Sequence, residues 1–330
     1  MKELVIMSCP TLNELPPPPL GKTGWPWTEG TRPLPPKMPD GSEWPKISIV
    51  TPNYNYGHFL EETIRSVLLQ GYPNLEYIVV DGLSTDNSVE IIKKYEPWLT
   101  YWESEKDQGQ SNAINKGFKK VTGSILNWLN SDDALMPNAL NVLGEIFSLN
   151  PDIDWISGGR LLKDEDGTFR ELHLVWQKSW PMYTIGLPDF PQEATFFSAD
   201  IWKSTGGLDE SLECALDVFF FYKMLLYSKI GVFTQSPISV MNIHSQQKTY
   251  RLEITGRQQY EKKIIQLMIG KHESQIWQRL LKTRFSDIVF QVLKLFVIFK
   301  AKKQFKIAVY SYWNENTDCN NWFLSDFSGI

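Results

Sequence analysis

Two adjacent carboxylates, Asp132 and Asp133, follow an apolar run that begins at Ser124 and is predicted to form a strand. Two anions side by side at the end of a strand repel each other, so a fold keeps them there when a cation lies between them. Hard divalent cations such as Mg²⁺ and Mn²⁺ prefer oxygen ligands and commonly hold substrate phosphates as well. The pair therefore indicates a site for a divalent metal and a phosphate group, with a solvated Asp-Asp turn as the alternative.

Strands and helices alternate from residue 46 onward, as judged from short apolar runs and from apolar residues spaced three or four apart. This order is typical of an α/β fold with a largely parallel central sheet flanked by helices. Strands are predicted at 47–50, 76–80, 99–102 and in the run before the double Asp. Ligands of such sheets bind outside the carboxyl ends of the strands. We therefore expect the loop 51–55, Asp81 and the double Asp to converge on one edge.

The loop after the first strand contains Pro52, Tyr54 and Asn55, and it lacks the glycine-rich sequences that bind dinucleotides or nucleoside triphosphates. An aromatic ring and a shaped turn suit a base and a ribose better than a pyrophosphate. Asp81 could accept a hydrogen bond from a ring N–H or a ribose hydroxyl, with an Asp-Gly turn as the alternative explanation. Together with a metal, these residues describe a site for a nucleoside diphosphate.

The composition is that of an ordinary globular protein, with 42% hydrophobic residues and a net charge of -5 in 330 residues. A nucleic-acid-binding protein would carry a basic stripe, so no nucleic-acid partner is expected. Three widely spaced cysteines exclude a disulfide framework or a zinc knuckle and favour a reducing, cytoplasmic location. We expect neither a signal peptide nor a membrane-spanning segment.

The two ends of the chain differ in character from its middle. Residues 1–45 hold more than half of the 20 prolines, with three tryptophans between them. This predicts an extended arm whose tryptophans dock on the domain or on a partner, with a flexible tail as the alternative. Residues 251–330 are predicted to form a helical C-terminal extension. Within it, the apolar and lysine-rich segment 288–306 could lie on the inner face of the membrane, or pack on the domain as an amphipathic helix.

Four runs of sequence, in this order, resemble the motifs of family 2 glycosyltransferases, which have the GT-A fold. They are residues 49–56, 79–86, 107–117 and 130–133. The resemblance covers 46–250 and implies a catalytic domain with a donor-nucleotide half at 46–135 and an acceptor half at 136–250. It implies a hexosyltransferase that moves a sugar from a nucleotide-diphosphate sugar to an acceptor hydroxyl with inversion, assisted by Mn²⁺ or Mg²⁺.

On the donor side, the resemblance implies that Asp81 recognises the nucleotide base and that Asp133 binds the cation. Asp132 would lie against the ribose or the donor sugar, and Asp107 would line the nucleotide pocket. The familiar Asp-x-Asp motif has an acid where this chain has Ser131, but similar enzymes often carry the Ser-Asp-Asp form. The remaining donor-site residues implied by the matched runs are Thr51, Pro52, Tyr54 and Asn115.

On the acceptor side, the run 215–223 resembles the motif that carries the general base, which would be Asp217. An acid stabilised by the helix dipole is the alternative. Relatives often carry a second acid and an Arg where this chain has Phe219 and Lys223, so the contacts of these two positions are open. His244 resembles a histidine that completes the metal site or touches the diphosphate. The other acceptor-side residues implied are Gln192, Glu193 and Trp202.

The expected partners are a nucleotide-diphosphate sugar, with a UDP-sugar preferred over GDP and dTDP sugars, and a glycan or lipid-linked acceptor. Such a reaction belongs to the synthesis of a surface polysaccharide or glycolipid. One alternative is a degenerate domain that binds a nucleotide sugar or a glycan without turnover. Another is nucleotidyl transfer, although we find no basic, glycine-rich loop to bind a triphosphate. Trp202 is expected either to stack on a sugar ring or to belong to the core.

Overall fold

The fold is described by a computed structural model for two long stretches of the chain and three further positions. The described residues are 9–174, 190–247, 256, 259 and 261. Most of the predicted C-terminal extension, including the segment 288–306, lies outside them. Within the described stretches, no helix has both the length and the apolar character needed to cross a membrane.

A mixed sheet forms the centre of the described fold. Its strands are β1 (Ile47–Asn53), β2 (Leu75–Asp81), β3 (Tyr101–Ser104), β4 (Ile125–Trp128), β5 (Asp133–Leu135), β6 (Trp155–Asp164), β7 (Phe169–His173), β8 (Thr195–Ser198) and β9 (Gly231–Ile243). Their order in space is β3-β2-β1-β4-β8-β6-β9-β5, with β7 beside β6. The first four of these pair in parallel, whereas β8 runs antiparallel to both β4 and β6. The predicted α/β fold is confirmed, and its parallel pairing is concentrated in the predicted donor half.

Helices cover both faces of the sheet. They are α1 (Gly57–Leu68), α2 (Ser88–Tyr95), α3 (Gln110–Phe118), α4 (Ala139–Leu149), α5 (Ala199–Thr205) and α6 (Leu216–Tyr227). Alternate strand residues enter two different cores, because successive side chains of a strand point to opposite faces. Ile49 packs in the core with α1, α2 and α4, and Val50 in the core with α3, α5 and α6. At Gly117, α3 approaches β1 so closely that a Cβ would lie 2.3 Å from Val50 Cγ1.

The Pro/Trp-rich arm packs on the domain body from residue 9 onward. Its anchor is Arg65 of α1, whose guanidinium is fully buried. This group donates hydrogen bonds to three carbonyl oxygens of the arm, those of Pro16, Pro26 and Trp27. Trp25 Nε1 donates to the carbonyl oxygen of Leu135 at 2.8 Å. The arm tryptophans therefore dock on the domain, which is the first of the expected arrangements.

Two boundaries differ from the prediction and change the position of candidate site residues. β1 continues through Asn53 because it pairs with β2 along its whole length, so Thr51 and Pro52 are strand residues rather than loop residues. β4 ends at Trp128, and Asp133 begins β5, which pairs antiparallel with β9. The double Asp therefore lies at a turn between two strands.

Candidate active site

The carboxyl ends of β1, β2 and β4 lie side by side at one edge of the sheet. Asn53 at the end of β1 pairs in register with Asp81 at the end of β2, and Asn53 Nδ2 donates to Asp81 Oδ1 at 2.7 Å. On the other side of β1, β4 leads into the turn that carries Asp132. The predicted polar clusters therefore belong to neighbouring strand ends.

Asp81 is fully buried, and its carboxylate accepts four hydrogen bonds from the chain itself. The donors, at 2.6 to 2.9 Å, are Asn53 Nδ2, Ser84 N, Ser84 Oγ and Ser104 Oγ. A carboxylate offers about four acceptor positions, so these bonds nearly exhaust its capacity. Asp81 thus joins the ends of three strand-loop segments. The contact with a nucleotide base that was predicted for it would require some of these bonds to break.

A second carboxylate, that of Asp107, fills the space beside Gly82. A Cβ at Gly82 would lie 2.6 Å from Asp107 Oδ2 and 3.3 Å from Tyr54 Cδ2. Asp107 is half-buried, and its Oδ1 accepts a hydrogen bond from Gly109 N at 2.8 Å. Tyr54 is 60% exposed. An exposed ring next to a partly exposed carboxylate can stack on a base and accept a hydrogen bond from it.

Three other predicted donor-site residues make contacts within the fold. Thr51 and Pro52 are buried in β1, and Thr51 Oγ1 lies 3.0 Å from Tyr77 OH. Asn115 of α3 accepts from Leu208 N through Oδ1 and donates to Leu208 O through Nδ2. These side chains stabilise the surroundings of the pocket, and their direct contact with a donor stays a prediction.

The turn with the double Asp is held by α1 and contains a buried carboxylate oxygen. Thr63 Oγ1 lies 2.8 and 2.7 Å from the carbonyl oxygens of Ser131 and Asp133. Asp133 is 5% exposed, and its Oδ1 has no hydrogen-bond partner among the described residues. Burial, together with the negative charges of Asp132 and Glu193, raises the pKa of Asp133 well above the usual carboxyl value. Such an oxygen is stabilised by a cation or a hydrogen-bond donor.

His244 reaches the double Asp through Asp132. Its Nε2 lies 3.1 Å from Asp132 Oδ2, and its ring is buried against Phe59 with the ring centroids 4.3 Å apart. Asn242 Nδ2 donates to the carbonyl oxygen of Asp132 at 2.6 Å. The last residues of β9 and the loop after it therefore fix Asp132. That His244 itself binds a metal stays a prediction.

A short 3-10 helix that begins at Gln192 brings the acceptor-side segment to the same turn. Gln192 Oε1 accepts from Asn130 Nδ2 at 3.0 Å, and that amide nitrogen lies 3.4 Å from Asp133 Oδ2. Glu193 is 3% exposed and lies 3.5 Å from Arg160 Nη1. Glu193 thus adds a third carboxylate to the double Asp, with Arg160 as a neighbouring cation.

Asp217, the predicted base, lies in the first turn of α6, where the helix dipole favours a negative charge. It is half-buried, and its Oδ1 accepts from Val218 N at 2.8 Å. The loop before α6 is bonded to Glu261, whose carboxylate accepts from consecutive backbone N–H groups. A carboxylate held at a helix start in this way can accept a proton from a hydroxyl that approaches it.

Two further positions in the acceptor half have contacts within the fold. Lys223 Nζ donates to the carbonyl oxygens of Thr205 and Gly207 at 2.8 and 2.6 Å, so it stabilises the end of α5. Trp202 packs against Phe118 with the ring centroids 4.1 Å apart. Trp202 therefore packs, partly buried, against the aromatic core, and its contact with an acceptor sugar stays a prediction.

Sequence reasoning missed four residues that shape the site. Thr63 had a recognisable signal, because a hydroxyl stands on the apolar face of α1 close to Leu60. Asn130 was inside a matched run but was not singled out. Arg160 and Glu261 gave no local signal, because their partners are 33 and 46 to 48 residues away in the sequence.

The carboxylate oxygens around the double Asp suit a divalent cation that binds together with the phosphates of a substrate. In the described part of the chain, no three His, Cys, Asp or Glu side chains are placed to hold a metal by themselves. The buried Asp133 Oδ1 nevertheless lacks a partner there, and the charges of Asp132 and Glu193 act on it. Mg²⁺ is usually bound by one or two carboxylates together with water and substrate phosphates. The residues present match that mode of binding.

Comparison with known protein families gives a match that spans the predicted donor half and part of the predicted acceptor half. Residues 48–202 match the model of Glycosyl transferase family 2. A Bacillus subtilis protein named putative teichuronic acid biosynthesis glycosyltransferase TuaG is 33% identical over 129 residues, which cover 38% of this chain and 50% of that protein. Another curated relative, 37% identical over 105 residues, is covered over 33% of its length. The chain thus spans a third to a half of these two relatives.

Solved structures with a similar fold include two sugar-nucleotide complexes. Staphylococcus aureus TarS 1–349 in complex with UDP-GlcNAc has a TM-score of 0.54 at 19% identity, over 73% of each chain. The mannosyltransferase PcManGT from Pyrobaculum calidifontis, in complex with GDP-Man and Mn²⁺, has a TM-score of 0.52 at 16% identity, over 87% of this chain and 91% of that one. At these identities the likeness shows the GT-A fold. Residues 48–202, just under half of the chain, match Glycosyl transferase family 2, so the chain carries a domain that resembles this family.

Proposed function

We propose that this chain is an inverting glycosyltransferase that moves a sugar from a nucleotide-diphosphate sugar to an acceptor hydroxyl. The observation that carries the proposal is the buried Oδ1 of Asp133, which has no hydrogen-bond partner in the described part of the chain. It lies next to Asp132 and Glu193, at the edge where the parallel strands end. A site built from carboxylates can hold a diphosphate only through a cation between them. The family match supports the same class of reaction.

On the donor side, the pocket formed by Tyr54, Gly82 and Asp107 is proposed to hold the nucleotide base. The exposed Tyr54 ring would stack on the base, and Asp107 Oδ2 would accept a hydrogen bond from a ring N–H. Asp81 is assigned a positioning role beneath this pocket, because its oxygens already accept four hydrogen bonds.

Next to the base pocket, the double Asp is proposed to serve the diphosphate and the sugar. Asp133 would hold Mn²⁺ or Mg²⁺, and Asp132 would lie against the ribose or the donor sugar. A bound cation supplies positive charge for the departing diphosphate. His244 and Asn242 hold Asp132 in place through its side chain and its carbonyl oxygen. PcManGT, which has a similar fold, was solved with GDP-Man and Mn²⁺, and this supports a divalent metal as the cofactor.

On the acceptor side, Asp217 is proposed to act as the general base. Its carboxylate would take the proton from the acceptor hydroxyl while that oxygen attacks the anomeric carbon of the donor sugar. The bond between the anomeric carbon and the diphosphate oxygen breaks in the same step, and the nucleoside diphosphate leaves. A single displacement of this kind inverts the configuration at the anomeric carbon.

The substrates proposed are a UDP-sugar and a glycan or lipid-linked acceptor in the synthesis of a surface polysaccharide. The TarS complex with UDP-GlcNAc favours UDP, and the PcManGT complex with GDP-Man keeps GDP as an alternative. The relative TuaG is named for teichuronic acid biosynthesis, which favours a cell-surface polymer as the product. Contact of the segment 288–306 with a membrane stays a prediction.

The test is replacement of the proposed base, with Asp217→Asn compared with Asp200→Asn. Both acids lie in the first turn of a helix, but Asp200 is exposed on α5 and has no proposed role. Release of nucleoside diphosphate from UDP-GlcNAc, UDP-Glc and GDP-mannose is measured with a panel of alkyl glycosides as acceptors. Asp217→Asn should lower kcat by about 10²- to 10⁴-fold and leave nucleotide binding unchanged, because only the proton acceptor is lost.

Near-normal turnover by Asp217→Asn would show that another group is the base. Tight nucleotide binding by the wild type without any release of nucleoside diphosphate would favour the non-catalytic binding protein. Release of pyrophosphate instead would favour nucleotidyl transfer.

A further inference from the structure

The loop before α6 directs three consecutive backbone N–H groups at one carboxylate. Glu213 N donates to Glu261 Oε1 at 3.1 Å, and Cys214 N and Ala215 N donate to Glu261 Oε2 at 3.0 and 2.9 Å. We call the N–H groups of residues 213–215 the amide triad. Glu261 is 3% exposed, so the carboxylate and the amide triad meet away from bulk water.

This arrangement fixes the backbone that leads into α6. The N-cap residue, Ala215, has no side chain that could accept a hydrogen bond from the first turn. The first N–H groups of a helix have no partner within the helix and carry a partial positive charge. A carboxylate that accepts several backbone N–H bonds forms strong, charge-assisted hydrogen bonds, which offset its burial. Glu261 accepts from the N-cap residue Ala215 and from the two residues before it, so a distant part of the chain fixes the entry into α6.

The other end of the same loop is held by a different element. Glu210 accepts hydrogen bonds from Asn112 Nδ2 and Asn115 Nδ2 of α3, at 2.9 and 2.8 Å. α3 packs on β1 and β2, the strands of the proposed donor half. The loop is therefore joined to the donor half at Glu210 and to Glu261 at the amide triad. Removal of Glu261 would release only the end that leads into Asp217.

We propose that Glu261 is a positioning residue that fixes Asp217 for proton transfer through the amide triad. Asp217 follows the triad by two residues, so a shift of the triad moves the start of α6 and the carboxylate on it. A misplacement of about 1 Å in a catalytic group can lower a rate by about 100-fold. This inference rests on the proposed role of Asp217 and assigns to the C-terminal region a part in the reaction.

The experiment compares Glu261→Gln with Glu90→Gln, an exposed acid in the first turn of α2 that has no role in the site. Gln keeps the size of Glu, but it places an NH₂ group against amide donors and removes the charge. Glu261→Gln should lower kcat for transfer by about 10- to 100-fold. Its binding of UDP with Mn²⁺ should stay within twofold of the wild type, because the donor half keeps its own contacts. Glu90→Gln should match the wild type in both measurements.

Chemical rescue distinguishes a loss of the positioning of Asp217 from a general loss of folded structure. Glu261→Ala leaves the amide triad without its anion, so added acetate should enter and recover several-fold of the lost kcat. Wild type in acetate and Glu261→Ala in chloride at equal ionic strength are the controls. Asp217→Asn should gain nothing from acetate, because its triad is already occupied. Absence of recovery in a Glu261→Ala protein that melts like the wild type would overturn the proposal.

Two results distinguish this inference from the proposed function itself. If the wild type transfers sugar and Glu261→Gln keeps its kcat, Glu261 does not position the base, although the proposed function stands. If the wild type shows no transfer, amide hydrogen exchange over residues 213–218 still tests the contact. The exchange should be at least tenfold faster in Glu261→Gln, and an unchanged rate would overturn the proposed role of the amide triad.

Discussion

At the scale of single residues, two aspartates near the same pocket have different surroundings and therefore different expected roles. Asp81 is fully buried and accepts four hydrogen bonds from three residues of its own chain. Asp107 is half-buried and lies beside the exposed ring of Tyr54. The motif alone places the base contact at Asp81, whereas the hydrogen-bond inventory favours Asp107.

The pair Asp107→Asn and Asp81→Asn tests this assignment, since the two substitutions are chemically identical. Asp107→Asn should weaken binding of UDP with Mn²⁺ about tenfold, or about 1.4 kcal/mol, and leave the free energy of unfolding unchanged. Asp81→Asn should lower the free energy of unfolding by about 1–3 kcal/mol, because an NH₂ group replaces an acceptor that faces donors. Calorimetric titration and urea unfolding measure the two quantities. If Asp81→Asn weakened UDP binding and Asp107→Asn lowered the free energy of unfolding, Asp81 rather than Asp107 would be the residue that contacts the base.

Asp133 is expected to lower the free energy of unfolding of the metal-free protein and to be needed for metal binding. In the metal-free protein, burial and the negative charges of Asp132 and Glu193 disfavour the ionised form of Asp133, so its pKa is raised. Asp133→Asn should therefore raise the free energy of unfolding of the metal-free protein by about 1 kcal/mol. The same variant should lose the stabilisation that Mn²⁺ with UDP gives the wild type. Urea unfolding measures both, with the exposed Asp152→Asn as the control. A less stable variant that still responds to Mn²⁺ would show that Asp133 is not the metal residue.

At the scale of elements, α1 supports the site from beneath and holds the arm in place. Its apolar residues Leu60 and Ile64 are fully buried, as their spacing predicted, while Thr63 between them holds the turn of the double Asp. Arg65 follows on the same helix and binds the arm through three carbonyl oxygens. Because the arm lacks regular structure of its own, its order depends on contacts with the body: this side chain, the docked tryptophans, and the backbone hydrogen bonds from Thr31 and Leu34 to the end of α1 and the loop after it.

Replacement of Arg65 by Met should detach the arm. Met fills a similar volume, but it leaves buried carbonyl oxygens and Tyr95 OH without their donor. We expect the free energy of unfolding to fall by about 3 kcal/mol, with an increase in tryptophan exposure. Arg32→Met, at an exposed position of the arm, is the matched control and should change stability by less than about 0.5 kcal/mol. Urea unfolding followed by tryptophan fluorescence measures both; equal stability of the two variants would contradict this role of Arg65.

At the scale of the whole molecule, the sequence predicted what local patterns control. The alternation of strands and helices placed Asp81 and the double Asp at neighbouring strand ends, because parallel strands share one carboxyl edge. It could not predict that Ser104 saturates Asp81, since that bond depends on strand pairing between residues 23 positions apart. The docking of Glu261 on the amide triad was equally hidden, because no local pattern encodes a contact across 46 residues.

The measurement that tests the central claim most directly is calorimetric titration of the wild-type chain with UDP, GDP, CDP and dTDP, each with Mn²⁺ and with EDTA. The account predicts that one nucleotide, UDP first, binds tightly with Mn²⁺ and that EDTA removes this binding. Such a result follows if the buried carboxylates around Asp133 hold the diphosphate only through a cation. Binding that is equally tight in EDTA, or no binding of any of the four nucleotides with Mn²⁺, would contradict the account.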